Sequence, residues 1–307
     1  MFHAKKNRID FQTDKNSSEM KLSEFQTYFY QMLPAFYDEE ERKALFTLVA
    51  EEVLDYSRAD IVLKKEEVLN KDSLDRLEEI LIQLQQEVPI QYIFQKAYFY
   101  GYEFKVSSAT LIPRRETEEL VEWVLETMNN QPNKRWRVLD IGTGSGCIPI
   151  SIKMEFPLAE VYAMDVSVEA LKVAKENSEN LNAEVTFIQQ DILLTDGLES
   201  FDIIVSNPPY VRILEKTEIK NNVLNYEPHL ALFVEDDDPL IFYRKIAQLA
   251  RKSLSKDGYL FFEINQYLGD DMKELLSEYF QTMSLRQDLQ GNDRMMKLNQ
   301  SENNESL

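Results

Sequence analysis

The chain has 307 residues, which is long enough for one large domain and a second, smaller one. Its 34 Lys and Arg against 54 Asp and Glu give a net charge of −20, which disfavours direct binding to nucleic acid or to a membrane surface. One cysteine excludes an internal disulfide, and two histidines leave no zinc-type ligand cluster, so we expect no metal. Without a secretory signal or an apolar run of ~18 residues, the sequence predicts a cytoplasmic protein.

The N-terminal part of the chain divides into a polar extension and a helical domain. Residues 1–19 are polar and aperiodic, which predicts a disordered extension. Over residues 20–88 no glycine occurs, and apolar residues recur at helical spacing, as at Leu74, Leu77, Ile80, Leu81 and Leu84. Residues 20–90 hold 8 Lys and Arg against 16 Asp and Glu. This balance favours a substrate-recognition domain that docks a protein over one that binds nucleic acid, and a purely structural helical cap is the alternative.

A linker with a β-hairpin is predicted after Pro89, which ends the helices. The segment QYIFQKAYFYGYEFKVS is rich in aromatic and β-branched residues around Gly101. We assign residues 89–110 to this linker and residues 111–299 to a larger domain, with residues 300–307 as a tail.

Strands and helices alternate in the larger domain. The short apolar runs are RVLDIG, EVYAMDVS, EVTFIQQD, FDIIVSNPP and GYLFFEIN, and the segments between them have helical spacing. This alternation predicts an α/β fold, with a parallel sheet covered by helices on both faces. Ser167 is a predicted N-cap. The segment MSLRQDLQGNDRMMKLN predicts two further strands around Gly291–Asn292, added antiparallel at the sheet edge.

The first chemical motif is DIGTGSG, Asp140 to Gly146, between the first of these strands and the next helix. Its glycines allow a tight turn and a close approach to a ligand, with N–H groups free at the helix start. The candidate binding residues are Gly142, Thr143, Gly144, Ser145 and Gly146. Such a loop holds either a dinucleotide pyrophosphate or the amino-acid end of S-adenosylmethionine, and a plain tight turn is the alternative.

Carboxylates end three successive predicted strands, at Asp140, Asp165 and Asp191. Asp165 lies 19 residues beyond Gly146, where a carboxylate accepts hydrogen bonds from both ribose hydroxyls of a nucleoside. Asp191 is placed to accept from the exocyclic amine of an adenine. The alternative is that each acid is only a turn or capping residue.

The second chemical motif is SNPPY, residues 206–210, at the end of the fourth strand. If the strand order reverses beside the first strand, Asn207 lies in the crevice where doubly wound sheets bind ligands. There the Asn207 side-chain oxygen and the Pro208 carbonyl would accept from one planar NH₂ group, Pro209 would stiffen the turn, and Tyr210 would cover the substrate. This predicts in-line displacement at a sulfonium methyl, in which positioning supplies most of the rate. A rigid turn without chemistry is the alternative.

The motifs together resemble the release-factor glutamine methyltransferase family of the HemK/PrmC type. They are, in chain order, PIQYI, LIPRRETEELVEWVL, DIGTGSGCI, VSNPPYV, NYEP and LQGNDR, and the resemblance covers about residues 85–298. It implies a Rossmann-like class I S-adenosylmethionine-dependent methyltransferase domain behind a small helical domain. Arg115 and Gln95 depart from the family pattern, in which proline stands at the first position and glycine lies near the second.

The resemblance also implies a reaction: methyl transfer to the side-chain amide nitrogen of the glutamine in the Gly-Gly-Gln motif of peptide chain release factors. By it, residues 142–146, Asp165, Asp191–Ile192 and Asn207 contact S-adenosylmethionine or its product S-adenosylhomocysteine, and the catalytic residues Asn207, Pro208, Pro209 and Tyr210 contact the glutamine. We expect a monomer.

Three other functions remain open from the sequence. A nucleic-acid adenine N6-methyltransferase shares the NPPY motif but must hold phosphates, which the acidic charge disfavours. A nicotinamide-dependent dehydrogenase has no use for NPPY. A non-catalytic binding protein with a decayed methyltransferase fold is disfavoured by the intact Gly142, Asp165 and Asn207.

Overall fold

The computed structural model describes residues 19–299. Of the extension predicted over residues 1–19, residues 1–18 lie outside the described residues, as does the tail predicted over residues 300–307. Contacts divide the chain into two compact units, with the division between Ile93 and Phe94.

The first unit consists of helices, as the apolar spacing predicts: α1 (Leu22–Met32), α2 (Glu39–Leu54), α3 (Arg58–Leu63) and α4 (Lys71–Gln85), with α5 (Ile90–Phe94) crossing the division. Asp38, Ser57 and Asn70 cap α2, α3 and α4 by accepting hydrogen bonds from backbone N–H groups of the first turn. On α4 the periodic residues Leu77, Ile80, Leu81 and Leu84 are buried. On α2 the buried residues are Phe46, Val49 and Ala50, whereas Leu48 is 43% exposed because it lies off that face.

The predicted hairpin is confirmed and forms part of the second unit. Its strands are β1 (Lys96–Phe99) and β2 (Tyr102–Lys105), and Gly101 has the positive φ of 80° that the turn requires. Asn177 joins the hairpin to the rest of this unit, because its side chain accepts a hydrogen bond from Lys105 N and donates to Lys105 O.

The remaining elements of the second unit alternate as predicted. They are α6 (Arg115–Asn129), β3 (Arg137–Ile141), α7 (Cys147–Glu155), β4 (Glu160–Asp165), α8 (Val168–Asn180), β5 (Val185–Gln189), β6 (Phe201–Ser206), β7 (Val211–Arg212), α9 (Asn221–Tyr226), α10 (His229–Leu232), β8 (Phe233–Val234), α11 (Ile241–Ser253), β9 (Leu254–Glu263), α12 (Gly269–Ser277), β10 (Thr282–Gln287) and β11 (Asp293–Asn299). Two 3-10 helices, Ile192–Leu194 and Ile213–Glu218, lie in the loops. Ser167 caps α8, as predicted, by accepting from Ala170 N at 3.1 Å.

Seven strands form one sheet in the order β10-β11-β9-β6-β3-β4-β5. Strands β5, β4, β3, β6 and β9 run parallel to one another, and β11 pairs antiparallel with both β9 and β10. This confirms the antiparallel edge addition. Because β4 and β6 lie on opposite sides of β3, the strand order reverses at β3, and a crevice opens at the carboxyl ends of β3 and β6.

Helices cover both faces of this sheet. Val138, Ile203 and Phe261 face a core built with α6 and α7, and the alternate residues Leu139, Ile204 and Phe262 face a second core built with α11 and α12. This two-sided burial explains the continuous apolar runs in the sequence. Within residues 19–299 no helix is long and apolar enough to cross a membrane.

Candidate active site

A cavity of about 440 Å³ lies at the carboxyl ends of the central parallel strands. Eight residues predicted from the sequence to act on the ligands line it: Gly142, Gly144, Asp165, Asp191, Ile192, Asn207, Pro208 and Pro209. Thr143, Ser145 and Gly146 are not among its lining residues, and Thr143 and Ser145 are buried. Residues that the sequence did not single out also line the cavity, among them Thr110, Leu111 and Leu230.

A second cavity of about 50 Å³ adjoins the first. Its lining includes Tyr210, Arg114 and Glu263, and it shares Asn207 and Pro208 with the larger cavity. The Asn-Pro pair therefore lies where the two cavities meet.

The glycine loop makes the predicted tight turn, with positive φ at Gly142, Gly144 and Gly146. A side chain at Gly146 would meet Ile150 at 2.9 Å and Ala174 at 3.1 Å, so only glycine fits there. The loop amides differ from the expectation of free donors: Gly142 N and Thr143 N donate to Met164 O, Gly144 N donates to Asp165, and Gly146 N donates to Thr143 O. Their hydrogen bonds shape the loop.

Asp165 ends β4 and faces the cavity. Its Oδ2 accepts from Gly144 N at 2.8 Å, and its Oδ1 accepts from Ser167 N at 2.9 Å. Burial raises the pKa of the Asp165 carboxyl, and these backbone hydrogen bonds oppose that shift. Each oxygen has a further lone pair, so Asp165 has acceptor capacity left for a ligand hydroxyl.

Asp191 follows β5 and also faces the cavity. Its Oδ1 accepts from Leu193 N at 2.9 Å and so caps the 3-10 helix Ile192–Leu194. Asp191 therefore is a capping residue, which the sequence analysis gave as the alternative. The capping hydrogen bond orients its carboxylate, and Oδ2 stays available as an acceptor.

Asp140, predicted with Asp165 and Asp191 to end a strand, instead lies within β3, one residue before its end, and is fully buried. Among the described residues, neither of its oxygens accepts a well-formed hydrogen bond. Burial raises the pKa of Asp140 to about 7, an effect that the nearby Thr143 side chain opposes and the charge of Asp165 reinforces.

Burial likewise raises the pKa of the Cys147 thiol to about 12, which leaves this cysteine protonated and unreactive.

The NPPY motif lies against the glycine loop. Ser206 pairs with Ile141 across the parallel strands, and its Oγ donates to Ile141 O at 2.7 Å. A side chain at Gly142 would point at the Asn207 carbonyl, 4.0 Å away. The absence of a side chain at Gly142 therefore leaves room between the two motifs.

Two residues that the sequence did not assign, Thr117 and Glu263, hold the NPPY motif through side-chain hydrogen bonds. Thr117 Oγ1 accepts from Asn207 Nδ2 at 3.2 Å and donates to Glu263 Oε2 at 2.6 Å. The Tyr210 hydroxyl donates to the other oxygen, Glu263 Oε1, at 3.0 Å. Glu263 ends the apolar run GYLFFE. A charged residue at the end of an apolar strand is the sequence signal that could have identified it.

Glu263 is 1% exposed. Burial raises the pKa of its carboxyl, whereas the hydrogen bonds from Thr117 and Tyr210 and the charge of Arg294 favour the ionised form. Burial also raises the pKa of Tyr210, so its hydroxyl stays a donor.

A partly buried ion pair anchors the segment that precedes α6. Glu227, from the NYEP motif, accepts from Arg114 at 2.6 Å and from Ile112 N at 3.1 Å. These contacts hold Leu111 in the lining of both cavities.

The lining that the two cavities share includes two hydrogen-bond acceptors, the side-chain oxygen of Asn207 and the carbonyl of Pro208. Such a pair binds a planar NH₂ group and repels a carboxylate. Within the described part of the chain, no group of three or more His, Cys, Asp or Glu residues is arranged to hold a metal ion.

Comparison with known proteins gives two matching family models. "Methyltransferase small domain" matches residues 117–229, and "PrmC N-terminal domain" matches residues 24–94. The release factor glutamine methyltransferase of Flavobacterium psychrophilum is 50% identical, over 91% of this chain and 99% of that protein. The enzyme of the same name from Bacteroides thetaiotaomicron is 45% identical, over 91% of this chain and all of that protein.

Among solved structures, the catalytic domain of hMettl16, in complex with an RNA hairpin, superimposes with a TM-score of 0.53. The superposition covers 66% of this chain and 77% of that one, at 18% sequence identity. At that identity the likeness concerns the fold, which is the class I methyltransferase fold.

Proposed function

The chain belongs to the family of release factor glutamine methyltransferases, and from this premise we propose the roles of its residues and its substrate. The protein is an S-adenosylmethionine-dependent methyltransferase that acts on glutamine. Its substrate is the Gly-Gly-Gln glutamine of peptide chain release factors, and the product is methylated on the side-chain amide nitrogen.

One observation carries this proposal: Asn207 and Pro208 line both cavities. The larger cavity suits the methyl donor, and the smaller one suits a narrow side chain such as glutamine. The atom that receives the methyl group then lies between them, next to the two acceptors.

The residues of the larger cavity fit S-adenosylmethionine. Asp165 has acceptor capacity for the ribose hydroxyls, Asp191 for the adenine amine, and Ile192 offers an apolar contact for the adenine ring. Gly142 and Gly144 bring bare backbone to the wall, with no side chain to fill the space. Thr143, Ser145 and Gly146 act indirectly by keeping the loop in shape. When bound, this ligand supplies a sulfonium methyl group.

The NPPY residues orient the acceptor nitrogen. Asn207 Oδ1 and Pro208 O accept the two hydrogens of the glutamine NH₂, which holds the nitrogen plane and aims its face at the larger cavity. Pro209 fixes the backbone of this turn, and Tyr210, tied to Glu263, forms a wall of the smaller cavity. Positioning of this kind is worth several orders of magnitude in rate when reacting atoms are held in near-attack geometry.

We assign residues 20–88 to recognition of the release factor, residues 89–110 to a linker and residues 111–299 to catalysis. The match of residues 24–94 to the PrmC N-terminal domain supports the first assignment. The net charge of −20 supports a protein partner without direct nucleic acid or membrane binding. We assign a monomer, working in the cytoplasm where release factors act.

The test is methyl transfer to defined substrates. Purified protein is incubated with methyl-labelled S-adenosylmethionine and a release factor, and the modified residue is identified by mass mapping. We expect label on the glutamine of the Gly-Gly-Gln motif, and none on the same factor with that glutamine changed to alanine. Label on adenine of DNA or RNA, with none on the factor, would overturn the proposal in favour of a nucleic-acid methyltransferase.

A further inference from the structure

The orientation of the Asn207 amide decides what its site accepts. The two ends of the amide have nearly the same shape, but Oδ1 accepts hydrogen bonds and Nδ2 donates them. A half turn of the side chain exchanges the two at little steric cost. The proposed function, on which this inference rests, requires Oδ1 to face the substrate NH₂ group.

A hydrogen-bonded chain runs from Asn207 away from the larger cavity. Asn207 Nδ2 donates to Thr117 Oγ1 at 3.2 Å, and Thr117 Oγ1 donates to Glu263 Oε2 at 2.6 Å. The other oxygen of Glu263 accepts from the Tyr210 hydroxyl at 3.0 Å. Thr117 is 3% exposed and Glu263 is 1% exposed, so water does not substitute for these partners.

The direction of this chain follows from the chemistry of Glu263. With Glu263 ionised, the form that the hydrogen bonds from Thr117 and Tyr210 and the charge of Arg294 favour, its carboxylate has acceptors only. The single hydroxyl hydrogen of Thr117 must then point at Glu263. Thr117 Oγ1 then has only lone pairs to offer Asn207, and it binds Nδ2 and not Oδ1. A flipped amide would place Oδ1 against Thr117 Oγ1, with two acceptors in contact and no hydrogen between them.

We infer that Thr117 and Glu263 are positioning residues that set the polarity of the Asn207 amide, so that the site accepts an NH₂ group and rejects a carboxylate. Neither residue lies among those that line the larger cavity. Their effect reaches the larger cavity only through Asn207, so we expect it to change methyl transfer to the acceptor more than the binding of S-adenosylmethionine.

The primary variant is Thr117→Val, which keeps the shape and the charge of the site but removes the hydroxyl. Thr117→Ser restores the hydroxyl. Thr127→Val is the matched control, because Thr127 is also buried on α6 and its hydroxyl donates to Trp123 O within the helix, away from the site. Each protein is assayed with a release factor for kcat and KM, and with S-adenosylmethionine alone by calorimetry.

The diagnostic readout is discrimination between amide and carboxylate. A release factor whose Gly-Gly-Gln glutamine is changed to glutamate is added as a competitor, and its inhibition constant is divided by the KM of the normal factor. We expect Thr117→Val to lower kcat about 100-fold, the scale for loss of positioning. We also expect it to lower the ratio of the inhibition constant to KM, because an Asn207 amide that is free to turn offers a donor to the carboxylate of the glutamate competitor. Thr117→Ser should recover most of the turnover and the discrimination.

Two results would overturn the inference: Thr117→Val turning over as fast as Thr127→Val, or losing turnover with its discrimination unchanged. If Thr117→Val does not fold, as judged by thermal melting, Glu263→Gln takes its place. Its side-chain NH₂ is able to donate to Thr117 and reverse the chain, so we expect the same loss of kcat and of discrimination, and unchanged values for both would contradict us. A wild-type protein that methylates no release factor would instead count against the proposed function.

Discussion

The Asp165 carboxylate holds the glycine loop directly, because its Oδ2 accepts a hydrogen bond from Gly144 N at 2.8 Å. One side chain thus shapes the loop on one side of the cavity and offers acceptors to the ligand within it. The two tasks are coupled, since loss of the carboxylate removes a ligand contact and frees the loop.

Asp165→Ala should weaken S-adenosylmethionine binding by about 1–3 kcal/mol, the range for losing hydrogen bonds to a charged group. Calorimetry measures the effect. Asp257→Ala, which changes an exposed aspartate outside the cavity lining, is the control and should bind like the wild type. Equal affinities for the two variants would remove Asp165 from the ribose site.

Asn207→Ala should lower kcat about 100-fold or more, because one of the two acceptors that position the amide nitrogen is lost. The fold should survive, since Asn207 is only partly buried and lies after β6. Single-turnover kinetics with a release factor report the rate, and thermal melting reports the fold. Asn180→Ala, at the exposed end of α8, is the matched control. Turnover of Asn207→Ala near that of the control would make Asn207 a turn residue only.

The buried Asp140 should make the stability of the ligand-free protein depend on pH. Its pKa of about 7 lies above the value of 3.8 for an unperturbed aspartate, so between these values the folded state holds a proton that the unfolded state has released. Stability therefore falls as pH rises through this window. Asp140→Asn removes the titration. The free energy of unfolding of this variant, relative to wild type, should therefore rise from pH 4 to 7 by no more than roughly 4 kcal/mol and then level off. Melting temperatures of the two proteins, measured across this pH range, report the change.

Asp202→Asn provides the opposite sign for comparison. Burial favours the neutral form of Asp202, but hydrogen bonds from Lys134, Arg137 N and Ser255 outweigh it and hold the pKa below its usual range. Its contribution to stability is present at neutral pH and is lost as pH falls through the folded-state pKa.

A difference between Asp140→Asn and wild type that does not change with pH would show that Asp140 is ionised throughout.

Helix α3 exposes two adjacent large apolar side chains, Val62 at 68% and Leu63 at 81%. If residues 20–88 recognise the release factor, these side chains are candidates for the contact, because burying one is worth about 1.5–3 kcal/mol. We expect Val62→Ser with Leu63→Ser to raise KM for the release factor about tenfold, with unchanged affinity for S-adenosylmethionine. Leu158→Ser, which changes a leucine of the second unit that is 64% exposed, is the control. An unchanged KM would place the contact elsewhere.

The sequence by itself determined the elements and the positions of the two chemical motifs. Strands buried on both faces must be apolar along their length, so RVLDI, VYAMD and FDIIVS identify the parallel sheet without any knowledge of their neighbours. The glycine loop and NPPY follow directly after two of these strands. Their placement side by side depended only on a reversal of strand order, which the sheet confirms.

Only the tertiary structure decided how the side chains are held. Thr117 and Glu263 are 146 residues apart, and Thr117 and Asn207 are 90 apart, so no local pattern relates them. The same is true of the loop amides of Gly142, Thr143 and Gly144, whose acceptors Met164 O and the Asp165 carboxylate lie at the end of the neighbouring strand β4. Periodicity reports which face of an element is apolar, whereas the hydrogen-bond partner and the burial of one side chain depend on which elements pack against it.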